Sequence, residues 1–153
     1  MLTQVAGRAG RGDLPGIVLV QTINPDHYAI RFAAQQDYDL FYEKEVEFRR
    51  LMRYPPFSAL ANVLVRSVKQ EEALAWSGCL AQLLPPGEEG VRVLGPAEAP
   101  VPRLKNEFRY QMLIKCTSRP RLSLLLRRLI DYAIQEKWPA TALVIDVDPM
   151  TLL

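Results

Sequence analysis

The chain has one histidine, His27, and two cysteines, Cys79 and Cys116, which lie far apart among its 153 residues. A structural zinc site needs four such ligands in closely spaced pairs, so this composition argues against one built within the chain. The two thiols are expected to be reduced and packed, following the burial habit of free cysteine. No apolar run approaches the ~20 residues that span a bilayer. The opening Met1-Leu2-Thr3-Gln4 lacks the basic flank and apolar stretch of a secretory signal. These absences predict a cytoplasmic chain with no membrane partner. Also missing is any G-x-x-x-x-G-K-[ST] run, and with it a backbone cradle for a nucleotide's phosphates. No acidic magnesium-binding motif of the helicase type is present either. Charge of one sign is not in excess: 19 Lys and Arg stand against 17 Asp and Glu, a net of +2. That balance permits a nucleic-acid partner without arguing for one, so the case rests on clustering.

What is present suffices for a core. The hydrophobic fraction is 49%, and the length allows one medium domain plus a piece of another. Residues 1–24 differ in character from the rest. A Gly- and Arg-rich stretch, Gly7 to Gly12, leads through Pro15-Gly16 into the apolar run Ile17-Val18-Leu19-Val20, which reads as a buried strand. Asn24-Pro25 offers a helix start, with Asn as cap and Pro at the first helical position. Helical pattern then runs through Tyr38, Phe41, Glu45, Phe48 and Met52, with a break near Asp37, until Pro55-Pro56 stops it. Residues 25–56 thus read as a helical linker to a separate domain spanning 57–153.

In that domain the elements alternate. Ala59 to Arg66 reads as a strand, and Ser67-Val68-Lys69-Gln70 as a capping box opening a helix to Leu84. Val91 to Leu94 reads as a short strand and Gly95 to Pro102 as a Pro-rich loop. From Phe108 to Cys116, alternation sets Phe108, Tyr110, Met112, Ile114 and Cys116 on one face. Arg109, Gln111, Leu113 and Lys115 fall on the other. A helix from Arg119 to Glu136 carries Leu122, Leu125, Leu126, Leu129 and Ala133 at helical spacing. Leu143 to Val147 is the last strand. The order β-α-β-β-α-β is the split βαβ arrangement of an α+β, ferredoxin-like domain, with one sheet face left open for a partner.

The sharpest chemical signal lies in Gln4-Val5-Ala6-Gly7-Arg8-Ala9-Gly10-Arg11. On a helix, Gln4, Arg8 and Arg11 share one face. Two guanidinium groups beside small residues suit close approach to a polyphosphate, where fixed positive charge stabilises phosphoryl transfer. The stretch resembles motif VI of superfamily-two helicases, Q-x-x-G-R-x-x-R, at every defined position. That resemblance makes Arg8 and Arg11 candidate arginine fingers and Gln4 a supporting polar group, acting on ATP held by a partner lobe.

Further downstream come Arg49-Arg50 before Tyr54-Pro55-Pro56-Phe57, then Val93-Leu94-Gly95-Pro96-Ala97, Phe108-Arg109-Tyr110-Gln111, and Ile145-Asp146-Val147-Asp148-Pro149. In order and spacing these resemble the C-terminal region of the replication-restart helicases (primosomal protein N′, PriA), over essentially the whole chain. The resemblance implies that residues 1–24 end the second RecA-like lobe of an ATP-dependent 3′-5′ DNA helicase. The family recognises stalled forks and D-loops and helps assemble the primosome, using ATP, magnesium and zinc held elsewhere in the full-length protein. The fragment itself is expected to hold no cofactor and to lack ATPase activity. The alternative is a free-standing ferredoxin-like module that binds nucleic acid or protein, with no motor attached.

Basic groups gather at Arg92, Arg103, Lys105, Arg109 and Lys115, interleaved with Phe108 and Tyr110. Alternation turns those aromatics toward the core. It leaves Arg109, Gln111 and Lys115, with Arg103 and Lys105 nearby, for phosphates or an acidic peptide. The resemblance implies branched and single-stranded DNA, other primosome proteins, and the acidic tail of single-stranded-DNA-binding protein as partners. Glu107 stands where a basic residue is common in the family, which weakens the expectation of tail docking here. Arg119, Arg121, Arg127 and Arg128 read as a solvated helix face, with phosphate contact as the alternative. Asp146 and Asp148 read as structural partners for arginine, His27 as an exposed residue, and Trp76 and Trp138 as packing residues.

Overall fold

The structure, a computed structural model, describes residues 2–9, 16–85 and 87–150. They fall into two compact units, Met1–Met52 and Arg53–Leu153.

The first unit is helical: α1 (Leu2–Ala6), α2 (Tyr28–Gln35) and α3 (Tyr38–Leu51). Ile17–Val20 does not form the expected strand and is exposed to solvent. A strand's backbone groups need a neighbouring ladder, and no such neighbour occurs among the described residues. Asn24 does not start α2 either. Residues 24–27 form a turn in which the His27 amide donates to the Asn24 carbonyl at 3.3 Å. His27 is the N-cap instead, its Nδ1 accepting from the Ala29 amide at 3.2 Å while its ring stacks on Tyr28. The break near Asp37 is present. Gln36 turns left-handed at φ 57°, and Asp37 Oδ1 caps α3 by accepting from the Leu40 amide at 3.0 Å. Across the α2–α3 pair, the Tyr28 hydroxyl donates to Glu45 at 2.5 Å, and Arg49 Nε donates to the same carboxylate at 2.7 Å.

The second unit contains β1 (Ala59–Ser67), α4 (Gln70–Gln82), β2 (Val91–Leu104), β3 (Glu107–Cys116), α5 (Arg119–Gln135) and β4 (Leu143–Val147). The sheet runs β2-β3-β1-β4, with every neighbouring pair antiparallel. This is the expected α+β ferredoxin-like arrangement. Alternation places Val63, Val65, Met112, Ile114 and Cys116 on one face, where they pack with Leu80, Leu122, Leu125, Leu126 and Leu129 from the two helices and with Leu84 just beyond α4. Each fully buried leucine or isoleucine there stabilises the unit by about 1.5–3 kcal/mol. Trp76 and Trp138 stack at 4.8 Å, and Tyr132 meets Trp138 edge-on, joining α4 to the C-terminal end of α5.

Two local expectations change. Ser67 does not cap α4, which begins at Gln70 with Lys69 as N-cap and no side-chain cap bond. Ser67 still belongs to β1, and its hydroxyl accepts from the Lys69 amide and donates to Glu72. The second change is larger. β2 continues to Leu104, through the segment 95–102 that reads as a loop. It is an edge strand, where proline's missing N–H is tolerated. Register shifts between Leu94/Ala97 and Glu98/Arg103 absorb its extra residues. At the first shift Gly95 takes φ 100°, and a Cβ there would lie 2.8 Å from the Gln111 carbonyl oxygen. Only glycine lets the two strands approach this closely.

Candidate nucleic-acid interface

The face of the sheet opposite the helices carries the basic residues. Strand register lays them out in rows: Arg92, Lys115 and Leu60; Leu94, Leu113 and Asn62; Ala97, Gln111 and Leu64; then Arg109 beside Arg66. Arg109, Gln111 and Lys115 therefore share one face, as alternation requires. They are not one cluster. Arg109 and Lys115 lie six positions apart, a distance of about 20 Å along a strand.

At the Lys115 end, the ammonium nitrogen lies 3.8 Å from the centre of the Tyr54 ring, a cation–π contact. At the Arg109 end, two guanidinium groups face each other, since Arg66 and Arg109 are direct cross-strand partners. Like charges so placed repel, and three acceptors offset the repulsion. Arg66 pairs with Glu107 at 3.1 Å and donates to the Thr141 carbonyl at 2.6 Å. Arg109 donates to the Val101 carbonyl at 3.4 Å. Arg66 was not among the residues singled out from sequence. Its signal was there, because Asn62, Leu64 and Arg66 form the outward phase of β1.

Arg103 and Lys105 sit at the tip of the β2–β3 hairpin. Lys105 and Asn106 form its two-residue turn, both at positive φ, 50° and 65°. Arg103 pairs with Phe108 in register, holds its guanidinium 5.1 Å from that ring's centroid, and donates to the Asn106 side-chain oxygen. Tyr110 is 7% exposed, and its hydroxyl lies 3.4 Å from Gln70 Nε2. It is thus a core residue and no stacking platform.

The last helix divides its arginines. Arg119 pairs with Asp148, whose other oxygen accepts from the Leu60 amide at 2.9 Å. Arg121 pairs with Glu88 and donates to the Glu89 carbonyl. Arg127 and Arg128 are exposed. Asp146 lies opposite Asn62 on the open face, whereas Asp148 turns off the strand end at φ 50°. The two carboxylates therefore do not form a pair.

In the first unit, Gln4 is exposed on α1. The helix ends at Ala6, and Arg8 lies in the tighter turn that follows, its amide bonded to the Val5 carbonyl at 3.1 Å. Gly7 is a poor helix residue, so the helical face expected to join Gln4, Arg8 and Arg11 does not continue through Arg8. Arg11 lies outside the described residues. No helix among the described residues is long and apolar enough to cross a membrane, and no cluster of metal-ligating side chains occurs among them.

The second unit is thus a ferredoxin-like domain with basic residues on the sheet face opposite its helices and at the hairpin tip. The family model described as Primosomal protein N C-terminal domain matches residues 50–150, and the chain belongs to that family. It is 35% identical over 155 residues to "Replication restart protein PriA" of Bacillus subtilis, covering 100% of this chain and 19% of that protein. The protein of that name from Synechocystis is 35% identical over 156 residues, covering 99% of this chain and 18% of the relative. The one from Rickettsia typhi is 32% identical over 152 residues, covering 99% and 23%. The chain therefore spans about a fifth of the length of these relatives.

Proposed function

We propose that this chain serves in replication restart, its second unit binding DNA phosphates through the cations of the open sheet face and hairpin. The relatives' name supports the process. The observation that carries the binding reading is the placement of Arg103, Lys105, Arg109 and Arg66 at one end of the sheet. None of the four is buried in the core, and all are permanently or usually charged. Lys115 and Arg92 extend the surface to the other end, with Gln111 between as a neutral hydrogen-bonding group.

In this reading residues 1–24 close a RecA-like lobe, 25–56 link it to the DNA-binding domain, and 57–153 are that domain. The intact protein is an ATP-dependent 3′-5′ helicase acting on forks and D-loops with primosome proteins. It carries ATP, magnesium and zinc outside this chain. Arg8 and Arg11 contribute positive charge to the γ-phosphate, with Gln4 supporting them. The acidic tail of single-stranded-DNA-binding protein meets Glu107 on β3 and is held weakly there. A fluorescence-anisotropy titration of the chain with forked DNA at two salt concentrations tests the binding reading. Affinity should fall steeply as salt rises, because phosphate contacts release counterions. Absence of binding at low salt would refute it.

A further inference from the structure

The hairpin tip has a composition that phosphate binding does not account for. Leu104 is the last residue of β2 and is 48% exposed, directly before the Lys105-Asn106 turn. It pairs with Glu107, while Arg103 pairs with Phe108, so Leu104 and Arg103 point to opposite faces of the ribbon. Cations therefore occur on both faces of the ribbon and at its end: Arg103 on one face, Arg109 on the face of Leu104 with Arg66 of β1 beside it, and Lys105 in the turn. Glu107, the acid nearest Leu104, is already paired with Arg66. Arg103 is held in place by Phe108 and Asn106, which lowers the entropy lost when it meets a phosphate.

A ribbon with positive charge on both faces suits entry between two phosphate backbones, tip first. An apolar side chain directly behind the tip of such a ribbon matches the wedges that proteins press against base pairs. We propose that the β2–β3 hairpin enters the mouth of a duplex at a single-strand–double-strand junction. There Leu104 packs against the last base pair, and Arg103, Lys105 and Arg109 take the flanking phosphates. The junction is favoured over the interior of a duplex for an energetic reason. Inside a duplex the wedge must first separate stacked pairs, whereas at a junction one face of the last pair is already unstacked. This inference rests on the DNA-binding reading above and adds where on the DNA, and by which residue, the tip engages.

The test uses the whole chain and two DNAs of equal length, one forked and one fully paired. Each carries 2-aminopurine in the pair that borders the junction or its equivalent. At saturating protein and low salt, the fork's fluorescence should rise roughly two-fold or more as the last pair is disturbed, with little change in the paired DNA. Leu104→Ser should abolish the rise when fork occupancy is matched to that of the parent chain, since the phosphate contacts remain and only the wedge is lost. Leu104→Ile should keep the rise, and Lys105→Ala should weaken binding to both DNAs. An equal response from Leu104→Ser and the parent chain at matched occupancy would overturn the wedge and leave phosphate binding standing. An equal rise in the fully paired DNA would overturn the junction preference and with it the proposal. Failure to bind either DNA at low salt would remove both readings together.

Discussion

Arg66 and Glu107 form an ion pair of 3.1 Å across the β1–β3 boundary of the open sheet face, beside the direct cross-strand pair of Arg66 and Arg109. The carboxylate therefore neutralises one of two adjacent guanidinium groups at the site where an anion would dock. Glu107→Lys should raise affinity for a peptide ending in Asp and Phe residues by about five-fold, on the scale of one exposed ion pair. DNA affinity should rise with it. Anisotropy titrations of the parent and variant chains check both, and unchanged peptide affinity would place tail docking elsewhere.

Gly95 provides a test of the fold. Its φ of 100° and the 2.8 Å approach of a Cβ to the Gln111 carbonyl oxygen leave no unstrained place for alanine. Gly95→Ala should destabilise the domain by about 1–3 kcal/mol through backbone strain alone. Denaturant unfolding followed by tryptophan fluorescence measures it, because Trp76 and Trp138 both lie in this unit.

In the first unit, hydrogen bonding from Tyr28, aided by Arg49, holds the Glu45 carboxyl below its ordinary pKa of 4.5. Burial, with the same hydrogen bond, pushes the Tyr28 hydroxyl up to about 12. A lowered carboxyl pKa adds stability that is complete above the ordinary glutamate value and is lost as pH falls through the lowered one. Helicity of this unit should therefore weaken below about pH 4.5. Tyr28→Phe should cost about 1–2 kcal/mol at neutral pH and flatten that acid dependence. Thermal melts by circular dichroism at pH 7 and pH 4 measure both effects.

Period and order carried most of the second unit. Five apolar residues at every second position from Phe108 leave β3 one register against the core, and the leucines of α5 repeat at helical spacing. The parts that were not legible depend on neighbours. Prolines at 96, 100 and 102 read as a loop because an outer edge, where their missing N–H is harmless, is set by sheet order. Ile17–Val20 reads as a strand from its own residues, yet no strand forms without a ladder partner. Of the candidate site, Arg109, Gln111 and Lys115 were correctly assigned to one face by alternation. The place of Arg103 beside Phe108 was hidden by a register shift. Arg66 and Leu104 were missed because their roles come from cross-strand pairing.

In the proposed reading, motor chemistry needs a phosphate-cradling motif that this chain lacks. The chain alone should show no DNA-stimulated ATPase, since it has no phosphate-cradling motif. In the full-length protein, Arg8→Ala or Arg11→Ala should lower turnover steeply. An arginine finger contributes roughly 1,000- to 100,000-fold when supplied by another protein, and one from a neighbouring lobe contributes less. Nucleotide affinity should change less than turnover, and fork binding should survive. Steady-state ATPase and nucleotide binding on the two variants decide this, and parent-level turnover in both would contradict the assignment.

The most direct test of the DNA-binding account is a fork-DNA titration of the chain at 50 and 200 mM salt, with Arg109→Glu/Lys115→Glu alongside the parent. Neither side chain lies in the helix-packed core, so the doubly reversed chain should fold. The account predicts that parent affinity falls by at least about ten-fold between the two salts, and that the variant binds more weakly with a shallower salt slope. Equal affinity and equal salt slope for parent and variant would contradict it.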